Sequence, residues 1–303
     1  MVAARLCLRP LDWLAMTPEQ RVEYERRVRM RQAAIAAAAG ILLMVAVLVQ
    51  IGGPHVNVNE KTLGLITEHK RFTRDLIGSL VAALSLLALG WTLYWLWGAA
   101  RAREPKIRPP FMGWIAAAGA VIQAISVVLY AVFFGNAAAD FVNHGSQTWP
   151  EANALLTKGP LVAAQIGNYL GLLLLAVGFT LTSLNAMRVG LLTRFLGYLG
   201  IIAAVLTIIP LVPIPIVEAY WLLALAYLLS GRWPNAVPPA WRSGRAERWP
   251  TSAELRAARE QAPVRAGRGK RAPEPAPQAA GAPTPAPAST RSTTPKRKRK
   301  RRK

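Results

Sequence analysis

Residues 76–99 read LIGSLVAALSLLALGWTLYWLWGA, a run of twenty-four residues without a charged side chain. Arg74 precedes the run and Arg101 follows it. The hydrocarbon core of a bilayer is about 30 Å thick, and a helix of about 20 residues crosses it. Because backbone polar groups in lipid must bond within their own segment, this run predicts a membrane-spanning α-helix.

Five more apolar runs occur along the chain, so about six spans are predicted. They lie at about Ala33–Gly53, Phe111–Gly135, Leu161–Met187, Thr193–Pro210 and Pro213–Ser230. Of the 303 residues, 53% are hydrophobic, yet 37 Lys and Arg stand against 15 Asp and Glu, and the two classes occupy separate stretches. That separation excludes an ordinary soluble domain. We therefore predict an all-α fold, a polytopic membrane helix bundle of about six transmembrane helices.

The distribution of positive charge predicts how this bundle is oriented. With both termini inside, 32 of the 37 Lys and Arg fall in inner segments. Cytoplasmic segments of membrane proteins carry an excess of these residues. The sequence thus predicts a multi-pass protein of the plasma membrane with cytoplasmic N and C termini. Cys7 is the only cysteine, which excludes an intramolecular disulfide.

Shifts in composition divide the chain into four regions. They are a cytoplasmic N-terminal segment with a short charged helix (1–32), the six-helix transmembrane domain (33–231), a juxtamembrane Trp/Arg segment with a short helix (232–261), and a disordered Pro/Ala-rich linker with a Lys/Arg tail (262–303). The first helix is predicted to begin at Thr17. Thr is a good N-cap, Pro18 suits the first helical position, and Gln20, three residues after Thr17, can complete a capping box.

Two further patterns bear on how the helices pack. Trp233, Trp241 and Trp249 stand among Arg and Pro and are expected as anchors in the headgroup layer. Gly167 and Gly171 have the small-xxx-small spacing that lets two helices approach closely. The fourth span is therefore expected to pack tightly against a neighbour.

The C-terminus carries the strongest functional signal in the sequence, a block of eight adjacent cations. The block consists of Lys296, Arg297, Lys298, Arg299, Lys300, Arg301, Arg302 and Lys303. Such a block repels itself, so a polyanion is its natural partner. Anionic lipid of the bilayer is one candidate, and a ribosome or another nucleic acid is the second. A signal for topology and solubility alone is the third interpretation.

A few polar residues within the predicted spans indicate a second class of function. Gln165, Asn168 and Tyr169 lie on the fourth span, and Glu218 lies on the last. Polar groups in lipid are costly and tend to face the bundle interior, where they line a substrate path or bond between helices. If they form a path, the protein is a small homo-oligomeric transporter or channel, and these side chains converge on a cavity.

A third hypothesis uses residues that the predicted orientation places outside: His55, His69, Asp140 and His144. Together they offer the side chains of a metal or proton site, as in a membrane enzyme. No two of the histidines have a metal-ligand spacing, and solvated loop residues are the plain alternative. Because phosphate-loop, His-Glu-x-x-His and Gly-x-Ser-x-Gly motifs are missing, we assign no catalytic residue, cofactor, metal or small-molecule ligand.

The Ala/Arg/Pro-rich composition and the block SLNAMRVGLLTRFLGYLG at 183–200 carry a resemblance. In both respects the chain resembles multi-pass integral membrane proteins of actinobacteria, mainly over its last three spans. That resemblance implies a bacterial membrane protein with a short cytoplasmic turn between two helices, and it implies no activity. The Lys/Arg tail is similar to those of bacterial membrane insertases that touch ribosomes, but the rest of the chain does not match them.

These observations favour a non-enzymatic accessory or scaffold protein of the membrane. In this hypothesis the bundle is the anchor, and the basic tail engages anionic lipid or a nucleic-acid-containing partner. The transporter or channel and the membrane enzyme remain as alternatives. A wet polar cavity would favour transport, whereas a packed core would favour the anchor.

Overall fold

The computed structural model describes residues 16–51, 61–107, 111–209, 215–233 and 238–247, together with 254, 256 and 257. The chain divides into two units, Met1–Thr251 and Ser252–Lys303. In the second unit the described residues Glu254, Arg256 and Ala257 are helical and exposed.

Across the described residues of the first unit, the regular secondary structure is helical, and no strand occurs among them. The helices are α1 (Pro18–Gln50), α2 (Lys61–Arg103), α3 (Met112–Asn143), α4 (Trp149–Leu156), α5 (Gly159–Arg188), α6 (Arg194–Ile208), α7 (Ile216–Leu229) and α8 (Pro239–Ser243). The short helix α4 was not predicted from the sequence. The short helix predicted within segment 232–261 was expected to begin at about Thr251, and α8 lies before that position.

Four helices, α1, α2, α3 and α5, are long and apolar enough to cross a membrane. They confirm the prediction of an all-α membrane protein. The helices α6 and α7 have 15 and 14 residues, which span only about 22 Å at 1.5 Å per residue. They occupy the positions of the last two predicted spans but are shorter than a straight crossing of the hydrocarbon core needs.

The first helix begins where the sequence predicts. The Thr17 side chain accepts from the Gln20 backbone N–H, and the Gln20 side chain accepts from the Thr17 backbone N–H, which completes a capping box with Pro18 in the first turn. From there α1 continues without a break to Gln50. The charged N-terminal helix and the first predicted span are therefore one helix, about 50 Å long.

The helices form a bundle in which α3 lies between α2 and α5. The helix α1 packs against α2 and α7, and α6 contacts both α5 and α7. Inside, Phe179 of α5 meets Trp221 of α7 edge to face, with 4.6 Å between ring centroids. The Trp221 Nε1–H donates to the Leu196 carbonyl at 2.9 Å, so this large ring is both buried and bonded.

Small residues bring α3 and α5 into backbone contact. A Cβ placed on Gly171 would lie 2.5 Å from the Gln123 backbone nitrogen, and one on Gly167 would lie 2.5 Å from the Ser126 hydroxyl oxygen. Both glycines of the predicted small-xxx-small pair therefore face α3, and the expected tight packing of this helix is confirmed. Large apolar side chains such as Leu170 are exposed on its other side.

Candidate functional site at a closed basic end of the bundle

One end of the bundle is built from five segments that carry most of its cations. They are the start of α1, the end of α2, the turn between α5 and α6, the end of α7, and residues 238–247, which we call the docking segment. The docking segment contacts α1 through a hydrogen bond from Arg21 to Gly244 and α2 through one from Arg103 to Ala240. It contacts the α5–α6 turn through the Glu247 backbone N–H, which donates to the Val189 carbonyl. We call this assembly the basic end.

A buried ion pair joins α1 to α2 at the centre of the basic end. The Arg103 Nη1 and Nη2 groups donate to the two carboxylate oxygens of Glu25 at 2.6 and 2.5 Å. The side chains are 0% and 2% exposed, respectively. A bidentate pair is the strong geometry for Arg and carboxylate. Removing one partner of such a buried pair leaves an uncompensated charge, whose cost is large.

The remaining donors of Arg103 go to backbone carbonyls. Its Nε and Nη2 donate to the Ala240 carbonyl at 3.1 and 3.0 Å, and its Nη1 donates to the Ala99 carbonyl at 2.9 Å. All five N–H donors of a guanidinium are thereby used. The same guanidinium lies 5.0 Å from the ring centroid of Trp241, within the distance of a cation–π contact. Arg103 therefore ties α1, α2 and the docking segment together.

Trp241 closes the end of the bundle from the side of the docking segment. It is 4% exposed and stacks on Trp95 of α2, with centroids 5.5 Å apart and an interplanar angle of 11°. Its Nε1–H donates to the Leu191 carbonyl at 2.9 Å. The prediction that Trp241 is a headgroup anchor is wrong. Its ring is buried against Trp95, and its N–H is bonded to the Leu191 carbonyl, so neither faces the headgroup layer.

Two more arginines of α1 lie on the same helix face as Glu25, four residues on either side of it. The Arg21 Nη1 donates to the Gly244 carbonyl at 2.9 Å, and the Arg29 Nε donates to the Leu229 carbonyl at 2.7 Å. Leu229 is the last residue of α7, and Gly244 directly follows α8. Carbonyls at such helix ends have no partner within their own helix and can accept these bonds. One face of α1 thus holds both the end of α7 and the docking segment.

A glycine in the left-handed conformation ends α8 where the docking segment meets α1. Gly244 has φ +69°, and a Cβ on it would lie 2.5 Å from the Pro18 carbonyl oxygen. Glycine is the residue for which that backbone region costs nothing. Glycine at this position therefore lets the chain turn at the end of α8 while its backbone stays close to Pro18 of α1.

Two of the cavities on the basic end combine arginine or lysine with several apolar wall residues. One of about 510 Å³ lies between α1 and the docking segment, beside Arg26, Arg29 and Arg242. The other, of about 680 Å³, lies between the end of α2 and the α5–α6 turn, beside Lys106 and Arg188. Each cavity is also lined by one acid, Glu25 in the first and Glu104 in the second, so cations outnumber acids in both.

The intramembrane polar residues predicted from the sequence fall into separate places. Gln165 and Tyr169 are exposed on α5 and bond to each other, the amide donating to the hydroxyl oxygen at 3.4 Å. Asn168 is half-buried beside them. Glu218 is buried on α7, with Thr207 of α6 as its side-chain neighbour. The structure therefore groups the three α5 residues and gives Glu218 a different neighbour.

The predicted outer set is also dispersed among the described residues. His69 and His144 are exposed, and Asp140 pairs with Lys158 at 3.5 Å. His144 directly follows α3 as its C-cap, and its backbone N–H donates to the Asp140 carbonyl. The bond between these two residues is therefore a backbone bond and does not involve the imidazole or the carboxylate. His55 lies outside the described residues. No group of three or more His, Cys, Asp or Glu that fits a metal ion occurs in the part of the chain that the structure describes.

The terminal cations 296–303 and Trp249 lie outside the described residues, whereas Trp233 is half-buried and tilts against Tyr227, with centroids 6.0 Å apart. Sequence reasoning missed Glu25 and Arg103. The spacing of Arg21, Glu25 and Arg29 at four-residue intervals was the available signal, because it puts three charges on one face of a helix that must pack.

The basic end can fix the chain that follows α7, and it can present cations to an anion in its cavities. Its central polar groups already bond to each other, which leaves the ion pair a structural role. Comparisons with family models, with curated proteins and with solved structures found no match.

Proposed function

We propose that this chain is a non-enzymatic accessory or scaffold protein of a bacterial plasma membrane, anchored by its helix bundle. The observation that carries the proposal is the closed basic end. Trp95, Trp241 and the Arg103–Glu25 pair fill the space between the helices there, and the Trp241 indole N–H and the Arg103–Glu25 pair have their bonding partners within the protein. A filled, bonded helix end suits an anchor better than a conduit.

The proposal includes six spans, with α6 and α7 as the last two. Because both helices are short, they would cross as a pair packed against longer neighbours, with local thinning of the bilayer making up the difference. Their interior faces are buried against α5 and α1. Tyr198 and Tyr220, on their outer faces, are exposed, and tyrosine is common near membrane interfaces.

The proposed orientation places the basic end in the cytoplasm. Support comes from the cations within the described residues, which collect at that end, while the opposite end carries fewer. Those at the basic end are Arg21, Arg26, Arg27, Arg29, Arg31, Arg101, Arg103, Lys106, Arg188, Arg194, Arg232, Arg242 and Arg245; those at the opposite end are Lys61, Lys70, Arg71, Arg74 and Lys158. Positive charge of this kind favours the cytoplasmic side.

Site-directed labelling tests this orientation. In a Cys7→Ser background, single cysteines would be introduced as Ser146→Cys, at the end opposite the basic end, and as Arg245→Cys, in the docking segment. Both positions are exposed. A membrane-impermeant maleimide applied to intact cells is expected to label the first variant, and to label the second only after permeabilisation. The reverse pattern would overturn the proposed topology.

The partner of the anchored protein is proposed to be a polyanion that binds the terminal cations 296–303, in first place anionic lipid of the same membrane. Cations near an anionic surface contribute about 1 kcal/mol each. The arginines of the basic end are proposed to lie on the same side of the membrane as the terminal cations. Anionic lipid of that leaflet is therefore within reach of both. A nucleic-acid-containing partner is the alternative outcome of the test.

Affinity purification from native membranes at moderate salt tests the partner. Three chains would be compared: the full chain, a chain ending at Arg271, and a full-length chain with residues 296–303 all changed to Gln. We expect the full chain to retain several-fold more anionic lipid than either variant, because both lack the terminal charge. RNA recovered with the full chain alone would establish the alternative partner. Equal recovery of lipid and absence of RNA in all three would refute a binding role for the tail.

A further inference from the structure

A pocket between α1 and α8 gathers guanidinium groups from both elements. The cavity has a volume of about 510 Å³. Its cations are Arg26 and Arg29 of α1 and Arg242 of α8, and its apolar wall includes Met30 of α1 and Leu229 of α7. We call this cavity the arginine pocket. A second cavity of about 510 Å³ shares Arg26 and Arg242 with it and is also lined by Arg27, Glu19 and Glu23.

The acids near the arginine pocket are paired with other cations. The Glu25 carboxylate is held by both Nη groups of Arg103. The Glu23 carboxylate accepts from Arg27, one turn away on α1. Glu25 lines the pocket and attracts Arg29, but its carboxylate is bonded to Arg103, so the three guanidiniums still give the pocket a net positive field.

One of the three guanidiniums is held in position. The Arg29 Nε donates to the Leu229 carbonyl at 2.7 Å. That bond orients the planar group and leaves its Nη donors for an acceptor in the pocket. A guanidinium fixed in this way loses little side-chain freedom on binding, and its fork matches phosphate oxygens.

The pocket lies at the depth of lipid headgroups. The apolar run of α1 begins at Ala33, four residues and therefore about 6 Å along the axis from Arg29. Arg26 is about 10 Å from the same point. The headgroup layer adds roughly 5–7 Å on each side of the hydrocarbon core. The two arginines thus sit at or just beyond phosphate level when α1 crosses the membrane.

The apolar side of the pocket leads towards the lipid-facing surface of α1. Met30 is 61% exposed, and Ile41, Val45 and Leu48 are exposed farther along the same helix. A ligand with a charged head and an apolar tail meets arginine at one end of this surface and aliphatic side chains at the other. Inorganic phosphate would use only the first.

From this arrangement we propose that the arginine pocket is a binding site for an anionic phospholipid, with its phosphate between Arg26, Arg29 and Arg242. The site is distinct from the terminal cations and would hold one lipid at a defined place on the folded bundle. Basic pockets between membrane helices on the cytoplasmic side are known to hold anionic headgroups. The inference rests on the membrane orientation proposed above.

The test uses the full chain purified in a neutral detergent, with residues 296–303 either native or all changed to Gln. The probes are short-chain phosphatidylglycerol, short-chain phosphatidylcholine and inorganic phosphate, and binding is followed by native mass spectrometry. The pocket variant is Arg26→Gln with Arg242→Gln. The matched control is Arg31→Gln with Arg245→Gln, because these arginines are also exposed on α1 and beside α8 but do not line the pocket.

We expect phosphatidylglycerol to bind in preference to phosphatidylcholine in both tail backgrounds, with affinity about tenfold weaker in the pocket variant, since two charged contacts are lost. The control should stay within about twofold of the parent, because it removes the same net charge elsewhere. Unfolding temperatures of both variants near the parent value would show that folding is intact.

Three outcomes would overturn the inference. Equal losses in the pocket variant and the control would assign the binding to general surface charge. Equal competition by inorganic phosphate would identify a free-anion site without a lipid tail. Binding that disappears when residues 296–303 are neutralised would assign the lipid to the tail, which leaves the proposed function standing. Failure of the labelling test, by contrast, would remove the orientation on which both proposals depend.

Discussion

Replacing Arg103 by Met is expected to lower the free energy of unfolding by about 3–5 kcal/mol, the cost of leaving one buried charge without its partner. The substitution keeps most of the aliphatic volume of the side chain. The main loss is therefore that the buried Glu25 carboxylate has no guanidinium to pair with. The Ala240 and Ala99 carbonyls lose their donors as well. Unfolding of the purified protein in mixed micelles, followed by circular dichroism against denaturing detergent, measures the loss.

The control for this prediction is the double variant Arg103→Met with Glu25→Leu. Apolar replacement of both partners of a buried pair is often close to neutral. The double variant should therefore recover a large part of the stability lost in Arg103→Met. A single variant as stable as the parent would show that the pair contributes nothing, and a double variant as unstable as the single would locate the loss in the backbone bonds of Arg103.

Changing Gly171 to Ala is expected to destabilise the bundle by about 1–3 kcal/mol, because an added methyl group in a closed interface forces backbone shifts. The new Cβ would lie 2.5 Å from the Gln123 backbone nitrogen and 2.8 Å from its Cα, so no flexible side chain can move away. The helices α3 and α5 would have to separate. The same unfolding measurement in mixed micelles detects the change.

Gly159 offers the matched control on the same helix. A Cβ on Gly159 meets nothing within 4 Å, so Gly159→Ala should change the free energy of unfolding by less than about 1 kcal/mol, the most that the Gly-to-Ala difference in helix propensity contributes. The two substitutions add the same methyl group, at Gly171 in the helix interior against α3 and at Gly159 on the first residue of the helix, in open space. Equal effects at both positions would contradict the backbone contact between α3 and α5.

The sequence predicted those parts of the fold that depend on local chemistry. The start of α1 followed from Thr17 and Gln20, because a capping box is complete within four residues. The bounds of α5 differ by two residues or fewer from the predicted run 161–187, because Pro160 and a long apolar stretch define them. The close packing of Gly171 was also foreseen, since small residues at this spacing leave room for a neighbour.

The candidate site could not be predicted, because its members are chosen by tertiary contacts. Arg101 and Arg103 are equivalent in the sequence, and only the position of Glu25 makes the second one the buried partner. Trp241 resembles an interfacial anchor among Arg and Pro until Trp95 and the Leu191 carbonyl are placed around it. The rotation of a helix about its own axis decides such contacts, and composition does not encode it.

The distribution of polar residues within the spans shows the same limit. Gln165 and Tyr169 were expected inside the bundle, as glue or as a path, yet they are exposed on α5. A helix surrounded by lipid is apolar on its outer face as well as on its inner face. The periodicity of its apolar residues therefore gives little information on which face is buried. Glu218 is buried on α7, and its neighbour Thr207 comes from a different helix.

The contacts of the docking segment also set an order for the making of the protein. Arg21 and Gly244 are 223 positions apart in the chain, and Arg103 and Ala240 are 137 apart. A ribosome delivers the arginines long before it delivers their carbonyl acceptors, because synthesis runs from the N-terminus and early segments fold first. Glu25 and Arg103 can meet as soon as α2 is complete, but their enclosure waits for Trp241. The closed end is therefore the last part of the described bundle to form, and a nascent chain that still lacks residues 238–247 cannot close it.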